Sequence, residues 1–371
     1  MKRRLPTALL ATGHGSVDLY QGIVPVLVPF LVAERGYDYL AVSGFVLAAT
    51  VLSSVVQPGF GLLTDRWSLP WLLPASMITT GLGVAALGLS SSYPLTLAAI
   101  GLTGIGVAAY HPQAARTARS VTGGSHIGMS WFSLGGNLGF AVAPAAGPLL
   151  SQTGLRASPL LLIPALLGTL LTLPLLRPTA VLRTGSRSGV DDWPSFATLT
   201  SIIILRSIAY VGLSTFLTLF VSQRLDLTPG ASATTLFVLV GGGVVGTLLG
   251  GRLATRYGRL RTMRWSYAVA ALALAGIAFT PGPTLFAAVA VTAIALYVPF
   301  SLHITLGQDY LPTRVGTASG VTLGLAVSAG GAAAPALAAL AKATSLQTLL
   351  ALLAALPALA WLLTHRLQEP S

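Results

Sequence analysis

The chain has 371 residues, of which 54% are hydrophobic and 8% charged. A soluble domain carries about 25% charged residues, so the composition excludes a soluble globular protein and describes an integral membrane protein, expected to lack any appended soluble domain. The net charge of +12 does not indicate nucleic acid, because the basic residues sit in short links between apolar runs. With no cysteine, disulfides and thiolate metal sites are excluded.

The N-terminal Met1-Lys-Arg-Arg resembles the basic end of a signal peptide, but the apolar run behind it carries His14 and Asp18 and has no small-residue cleavage site. It reads as an uncleaved first span. Apolar runs long enough to cross a bilayer start near Pro6, Leu40, Trp71, Pro94, Ile127 and Pro159. A second set starts near Ser195, Ala231, Arg264, Thr284, Gly316 and Leu346. The prediction is an all-α membrane protein of twelve transmembrane helices, six in residues 1–176 and six in 195–371. A polar stretch, 177–194, joins the halves. It holds Arg177, Arg183, Arg187, Asp191 and Asp192 among Gly and Ser, and suits a solvated linker.

Twelve spans put both termini on one side. Of the 21 Lys and Arg, sixteen fall on that side and four (Arg35, Arg156, Arg224 and Lys342) on the other, with Arg206 inside a span. The positive-inside bias makes both termini and the linker cytoplasmic, in a bacterial inner membrane. The 41 glycines and 23 prolines suit helix bends and close helix packing. Gly135-Gly136 and Gly241-Gly-Gly243 are expected close-packing sites.

A short motif occurs twice, as Gly61-Leu-Leu-Thr-Asp65-Arg66 and Gly251-Arg-Leu-Ala-Thr255-Arg256. Each copy follows the second apolar run of its half. A repeat at half-chain spacing indicates two similar membrane halves, an architecture common among transporters.

Few residues could carry chemistry inside the membrane. His14, Asp18 and Gln21 share one face of the first helix. Asp18 lies roughly 20 Å along it by helix rise, where a carboxyl group costs about 2.5–3.5 kcal/mol on insertion scales. It reads either as a proton-titrating site or as a fixed ion pair. Arg206 lies about 16 Å into the first span of the second half, with Tyr210 one turn on. An arginine there neutralises Asp18 in one state, binds an anionic substrate group, or only sets helix register. His111 is placed near the cytoplasmic end of the fourth span, where a histidine is structural or joins His14 and Asp18 in proton coupling. Ser130, Ser133 and Asn137 line one face of the fifth span and either touch substrate or cement helix pairs. The candidate substrate-binding set is Arg206, Gln21, Tyr20, Tyr210, Asn137, Ser133, Trp131, Tyr297 and His303. Asp309, close to Arg314 near the cytoplasmic face, reads as a gate or packing pair. No nucleophile elbow and no His-Glu-x-x-His metal motif occurs, so no enzyme is indicated.

The duplicated motif resembles the cytoplasmic loop signature of the major facilitator superfamily, Gly-x-Leu-x-Asp-Arg-x-Gly-Arg. The first copy keeps Asp65 and Arg66. The second keeps Arg256, Gly258 and Arg259 but has Thr255 for the acid, so any latch made by Asp65 is one-sided. Gly139-x-x-x-Ala143-Pro144-x-x-Gly147-Pro148 is similar to the glycine-proline motif of antiporter-type members. Five strings together resemble the fosmidomycin-resistance branch, along nearly the whole chain. They are Gly13-His-Gly-Ser-Val-Asp18-Leu-Tyr-Gln21-Gly22, Gln57-Pro58-Gly-Phe-Gly61, Tyr110-His-Pro-Gln-Ala114, Phe132-Ser-Leu-Gly-Gly-Asn137 and Gln308-Asp-Tyr-Leu-Pro312. Relatives often carry a glutamate where this chain has Gln113, which leaves proton handling to Asp18 and His111.

The resemblance implies drug efflux by a proton-coupled antiporter working by alternating access. Asp65, Arg66, Arg256, Asp309 and Arg314 would form the cytoplasmic gate. The implied partners are a small drug-like or anionic substrate, protons and the bilayer, with no nucleic acid. The chain is expected to act as a monomer with no metal and no cofactor besides the coupling proton. An importer of a small nutrient and a non-transporting membrane sensor are the alternatives.

Overall fold

In a computed structural model of the chain, residues 4–37, 39–89, 91–176, 189–227 and 234–370 are described. Lys2, Arg3, the linker residues Arg177, Arg183 and Arg187, and the span start near Ala231 lie outside them. All secondary structure among the described residues is helical. That is the form in which an apolar run satisfies its own backbone hydrogen bonds without water.

The helices fall into twelve segments among the described residues. The first six are α1 (Arg4–Arg35), α2 (Tyr39–Ser54, continued by Gln57–Arg66), α3 (Leu72–Gly88), α4 (Tyr93–Thr122), α5 (His126–Val142, continued by Ala146–Thr153) and α6 (Leu155–Leu176). Then come α7 (Trp193–Leu225), α8 (Thr234–Tyr257), α9 (Arg259–Phe279), α10 (Gly282–Tyr310), α11 (Val315–Ala343) and α12 (Leu346–Thr364). By length and apolarity nine of these suffice to cross a membrane. The other three are broken or short: α2 turns at Val55–Val56, α5 tightens into a 3-10 turn at Ala143–Ala145 around Pro144, and α3 is a short apolar helix.

Local chemistry sets the ends. α4 stops at Gly123, whose φ of 65° is the left-handed conformation a helix C-terminus needs and glycine adopts without strain. Ser125, Asp192 and Ser345 cap the next helices, their side-chain oxygens accepting backbone N–H bonds from Gly128, Ser195 and Thr348. Asp192, at the end of the expected linker, is exposed and caps α7, and its N–H donates to the Tyr310 carbonyl at 2.7 Å.

The chain divides into two compact units. One comprises residues 1–189 with 312–324, the other 190–311 with 325–371. In the first, α1 packs on α5 backbone to backbone. A Cβ on Gly135 would sit 2.8 Å from the Ala11 Cα, and one on Gly15 would sit 2.8 Å from the Gly135 carbonyl oxygen. This approach delivers the His14–Asp18 face of α1 to α5. In the second unit α8 approaches α10 through Gly242, Gly246 and Gly250, at the spacing of small residues that lets membrane helices touch. Gly243 lies against the Tyr297 ring, but Gly241, expected to pack closely, faces open space because it points away from α10.

The first motif copy ends α2 against the start of α11. Asp65 Oδ1 accepts from the Gly316 N–H at 2.6 Å, and Oδ2 from the Thr317 N–H at 2.8 Å and hydroxyl at 2.7 Å. The first N–H groups of a helix have no intrahelical acceptor and carry partial positive charge, so a carboxylate there satisfies both needs. The Arg116 guanidinium donates to the Thr64 carbonyl beside it. In the second copy the Thr255 hydroxyl donates back to Gly251 of its own helix at 2.8 Å. Arg66 and Arg256 are both exposed.

Two outcomes follow for stability, each read by thermal melting in detergent. Asp65→Asn removes charge-assisted bonds worth about 1.5–3 kcal/mol and lowers the melting temperature, whereas Thr255→Val leaves it nearly unchanged. Gly135→Ala overpacks the α1–α5 contact at a cost of about 1–3 kcal/mol, whereas Gly241→Ala is neutral.

Candidate functional site

The sequence singles out Asp18 for its depth, and the structure shows how that charge is accommodated. α1 carries His14 and Asp18 one turn apart, and α4 brings His111 to the same point. Asp18 Oδ2 lies 3.3 Å from His14 Nε2, and Oδ1 lies 3.0 Å from His111 Nε2. All three side chains are buried, Asp18 at 6% exposure. The placement of His111 near a helix end is corrected. α4 runs through Pro112 to Thr122, so His111 lies eleven residues inside it, about 16 Å from its end.

Both rings are oriented from behind. His14 Nδ1 lies 2.9 Å from the Phe132 carbonyl oxygen, and His111 Nδ1 lies 2.9 Å from that of Val107. A carbonyl oxygen only accepts, so Nδ1 carries the proton on each ring. In the neutral rings each Nε2 then presents a lone pair to the carboxylate. Phe132 also stacks on His14, with centroids 4.3 Å apart and planes 15° apart. Gly136 completes the surround. A Cβ there would sit 2.8 Å from His14 Nε2, so only glycine leaves the trio its space. Three electron-rich atoms converge in an apolar setting, and the arrangement calls for a proton or another cation among them.

The second unit holds the opposite charge. Arg206 of α7 is 2% exposed, and its Nε donates to the Leu296 carbonyl at 2.6 Å. The guanidinium lies 4.9 Å from the Tyr297 ring centroid, 5.1 Å from that of Phe300 and 5.9 Å from that of Tyr210. Tyr210 and Tyr297 meet edge to face at 5.0 Å. No carboxylate among the described residues forms an ion pair with Arg206. The cation is therefore held by ring faces and one carbonyl, an arrangement that can receive an anion.

The other candidates are distributed. The Tyr20 hydroxyl donates to the Leu161 carbonyl at 2.5 Å and accepts from the Ala165 N–H at 2.8 Å, which ties it to the 3-10 stretch of α6. His303 Nε2 lies 2.9 Å from the Tyr267 hydroxyl, and both side chains are buried. Ser130 and Ser133 are buried, the Ser133 hydroxyl without a hydrogen-bond partner, while Gln21 and Asn137 are half-buried and Trp131 is exposed. Asp309 is ion-paired to Arg259, the last residue of the second motif copy, at the start of α9, and Arg259 also holds Glu369 at 3.1 Å. Arg314 is exposed. Phe132 and Phe300 are site residues that sequence spacing does not single out, each placed there by a neighbour distant in sequence.

Comparison with known proteins agrees with this architecture. The family model described as Major Facilitator Superfamily matches residues 10–335. The chain is 26% identical over 348 residues to the fosmidomycin resistance protein of Escherichia coli, covering 88% of this chain and 84% of that one. It is 28% identical over 342 residues to the uncharacterized MFS-type transporter YfnC of Bacillus subtilis, covering 87% and 83%. The crystal structure of the human organic anion transporter MFSD10 superposes with a TM-score of 0.79 at 17% identity, covering 98% of this chain and 100% of that one. The chain thus belongs to the major facilitator superfamily, as a multi-pass membrane transporter and not an enzyme.

Proposed function

We propose that the chain is a proton-coupled secondary active transporter, an antiporter that exports a small drug-like or anionic molecule by alternating access. The observation that carries this reading is the buried carboxylate of Asp18 between two Nε2 atoms of fixed orientation. A carboxylate and two imidazoles in contact, shielded from bulk water, can take up and release a proton with little rearrangement of the backbone. Each such event changes the net charge of a buried site, and burying an unbalanced charge is costly. That cost is what links protonation to a change of conformation.

The relative named for fosmidomycin resistance supports export. Arg206, buried among aromatic rings with no acidic partner among the described residues, supports an anionic or partly anionic cargo. Tyr297, Tyr210 and Phe300 would pack on the body of that cargo while the guanidinium holds its charge. The distribution of Lys and Arg supports insertion in a bacterial inner membrane with both termini cytoplasmic. In this reading the carboxylate cap of Asp65 on α11 is the gate element, assisted by Arg66, Arg256, Asp309 and Arg314.

The coupling role is tested in proteoliposomes with an imposed pH gradient and fosmidomycin as probe. Wild type moves the probe uphill. Asp18→Asn is expected to lose uphill movement while retaining exchange down a substrate gradient. Persistent pH-driven uphill transport by Asp18→Asn sinks the coupling role. The cargo role is tested by ligand-induced thermal stabilisation. Anionic probes raise the melting temperature of wild type but not of Arg206→Ala, and equal stabilisation of the two removes Arg206 from the site.

A further inference from the structure

The site around Asp18 has the donor set of a metal centre as well as that of a proton site. Its two imidazole nitrogens and one carboxylate come from residues 14, 18 and 111, and one ligand atom from each lies within 4.8 Å of the others. The four ligands of a tetrahedral zinc site, at about 2.0–2.1 Å from the metal, lie about 3.3 Å from one another. Each imidazole nitrogen lies at about that spacing from one carboxylate oxygen, His14 Nε2 3.3 Å from Oδ2 and His111 Nε2 3.0 Å from Oδ1. Although Oδ1 is 3.0 Å from His111 Nε2, it receives no hydrogen bond of acceptable geometry and is fully buried.

The surroundings also suit a metal. Ligating histidines characteristically donate the second ring N–H to a backbone carbonyl or carboxylate, which fixes the ring and makes the ligating nitrogen more basic. Both histidines do so, to Phe132 and Val107. We propose that His14 Nε2, His111 Nε2 and the Asp18 carboxylate bind one divalent transition-metal ion of the zinc class. Imidazole with carboxylate suits this class, and the absence of thiolates disfavours the softer monovalent metals. A bound ion ties α1 to α4 and occupies the lone pairs that a proton requires, so it acts as an inhibitor of proton-driven transport. The proposal does not depend on the direction or the cargo of transport.

The test uses the full chain with a histidine-free affinity tag, purified in detergent, stripped with chelator and titrated with Co²⁺ near neutral pH. The expected result is one Co²⁺ per chain with the visible absorption of nitrogen and oxygen ligands, displaced by Zn²⁺. Affinity falls at least about tenfold in His111→Ala and in Asp18→Asn and is unchanged in His365→Ala, which alters an exposed histidine outside the trio. Melting of each variant without metal checks that it is folded, and Asp18→Asn, close to isosteric, carries the test where His111→Ala does not fold. Equal Co²⁺ affinity in wild type and Asp18→Asn, or no metal retained by wild type after gel filtration, overturns the proposal. An Asp18→Asn protein that loses proton-driven transport while wild type retains no metal removes the metal site and leaves the transport reading standing. Metal binding by wild type together with uphill transport by Asp18→Asn does the reverse.

Discussion

A carboxylate inside an apolar helical unit has almost nothing to bond to, and Asp18 imposes that constraint on everything around it. The cost of moving an ion out of water is several kcal/mol even after the protein relaxes. Two histidines offset it only where a proton or another cation lies between their Nε2 atoms and the carboxylate, which requires both rings to be brought to the same point. α1 supplies His14 through helical spacing alone. α4 supplies His111 from mid-helix, and α5 supplies the carbonyl that orients His14 and the ring that stacks on it. The glycine contacts between α1 and α5 are therefore part of the site. Replacing their hydrogens by methyl groups would lift Phe132 and Gly136 away from Asp18.

The second unit solves the converse problem by different means. Arg206 cannot shed its charge, so protonation is no remedy. Its neighbours are π faces and a carbonyl, which stabilise a cation without neutralising it. One unit thus holds a group whose charge can change, and the other a group whose charge is permanent.

Twelve apolar runs were legible in the sequence because the bilayer allows one answer for an apolar run of that length. The breaks within α2 and α5 did not disguise them, since the apolar character continues through Val55 and Pro144. Asp18, His14 and Arg206 were legible for the same reason, being polar where polarity is expensive. What spacing could not show was proximity between helices. His111 looked like a helix-end residue because Pro112 follows it, yet the helix continues with the proline inside. Asp309 pairs with Arg259 from another helix, a contact that sequence spacing does not show. Gly136 carries no chemical signal at all, and its role exists only as space left beside His14.

The duplicated loop shows how a repeat retains its shape while losing its bonding. Gly61 and Gly251 are both buried, and Arg66 and Arg256 are both exposed, so the two copies occupy similar positions at their helix ends. The single change from carboxylate to hydroxyl decides what each can hold. Asp65 has two oxygens free for outside donors and accepts three hydrogen bonds from the start of α11. Thr255 has one hydroxyl, already committed to its own helix. The electrostatic gain at a helix N-terminus, about 0.3–1 kcal/mol for an exposed charge and up to about 2 when partly buried, is therefore available at one copy and absent at the other. The two copies thus differ in what they bond, Asp65 to the start of another helix and Thr255 to its own.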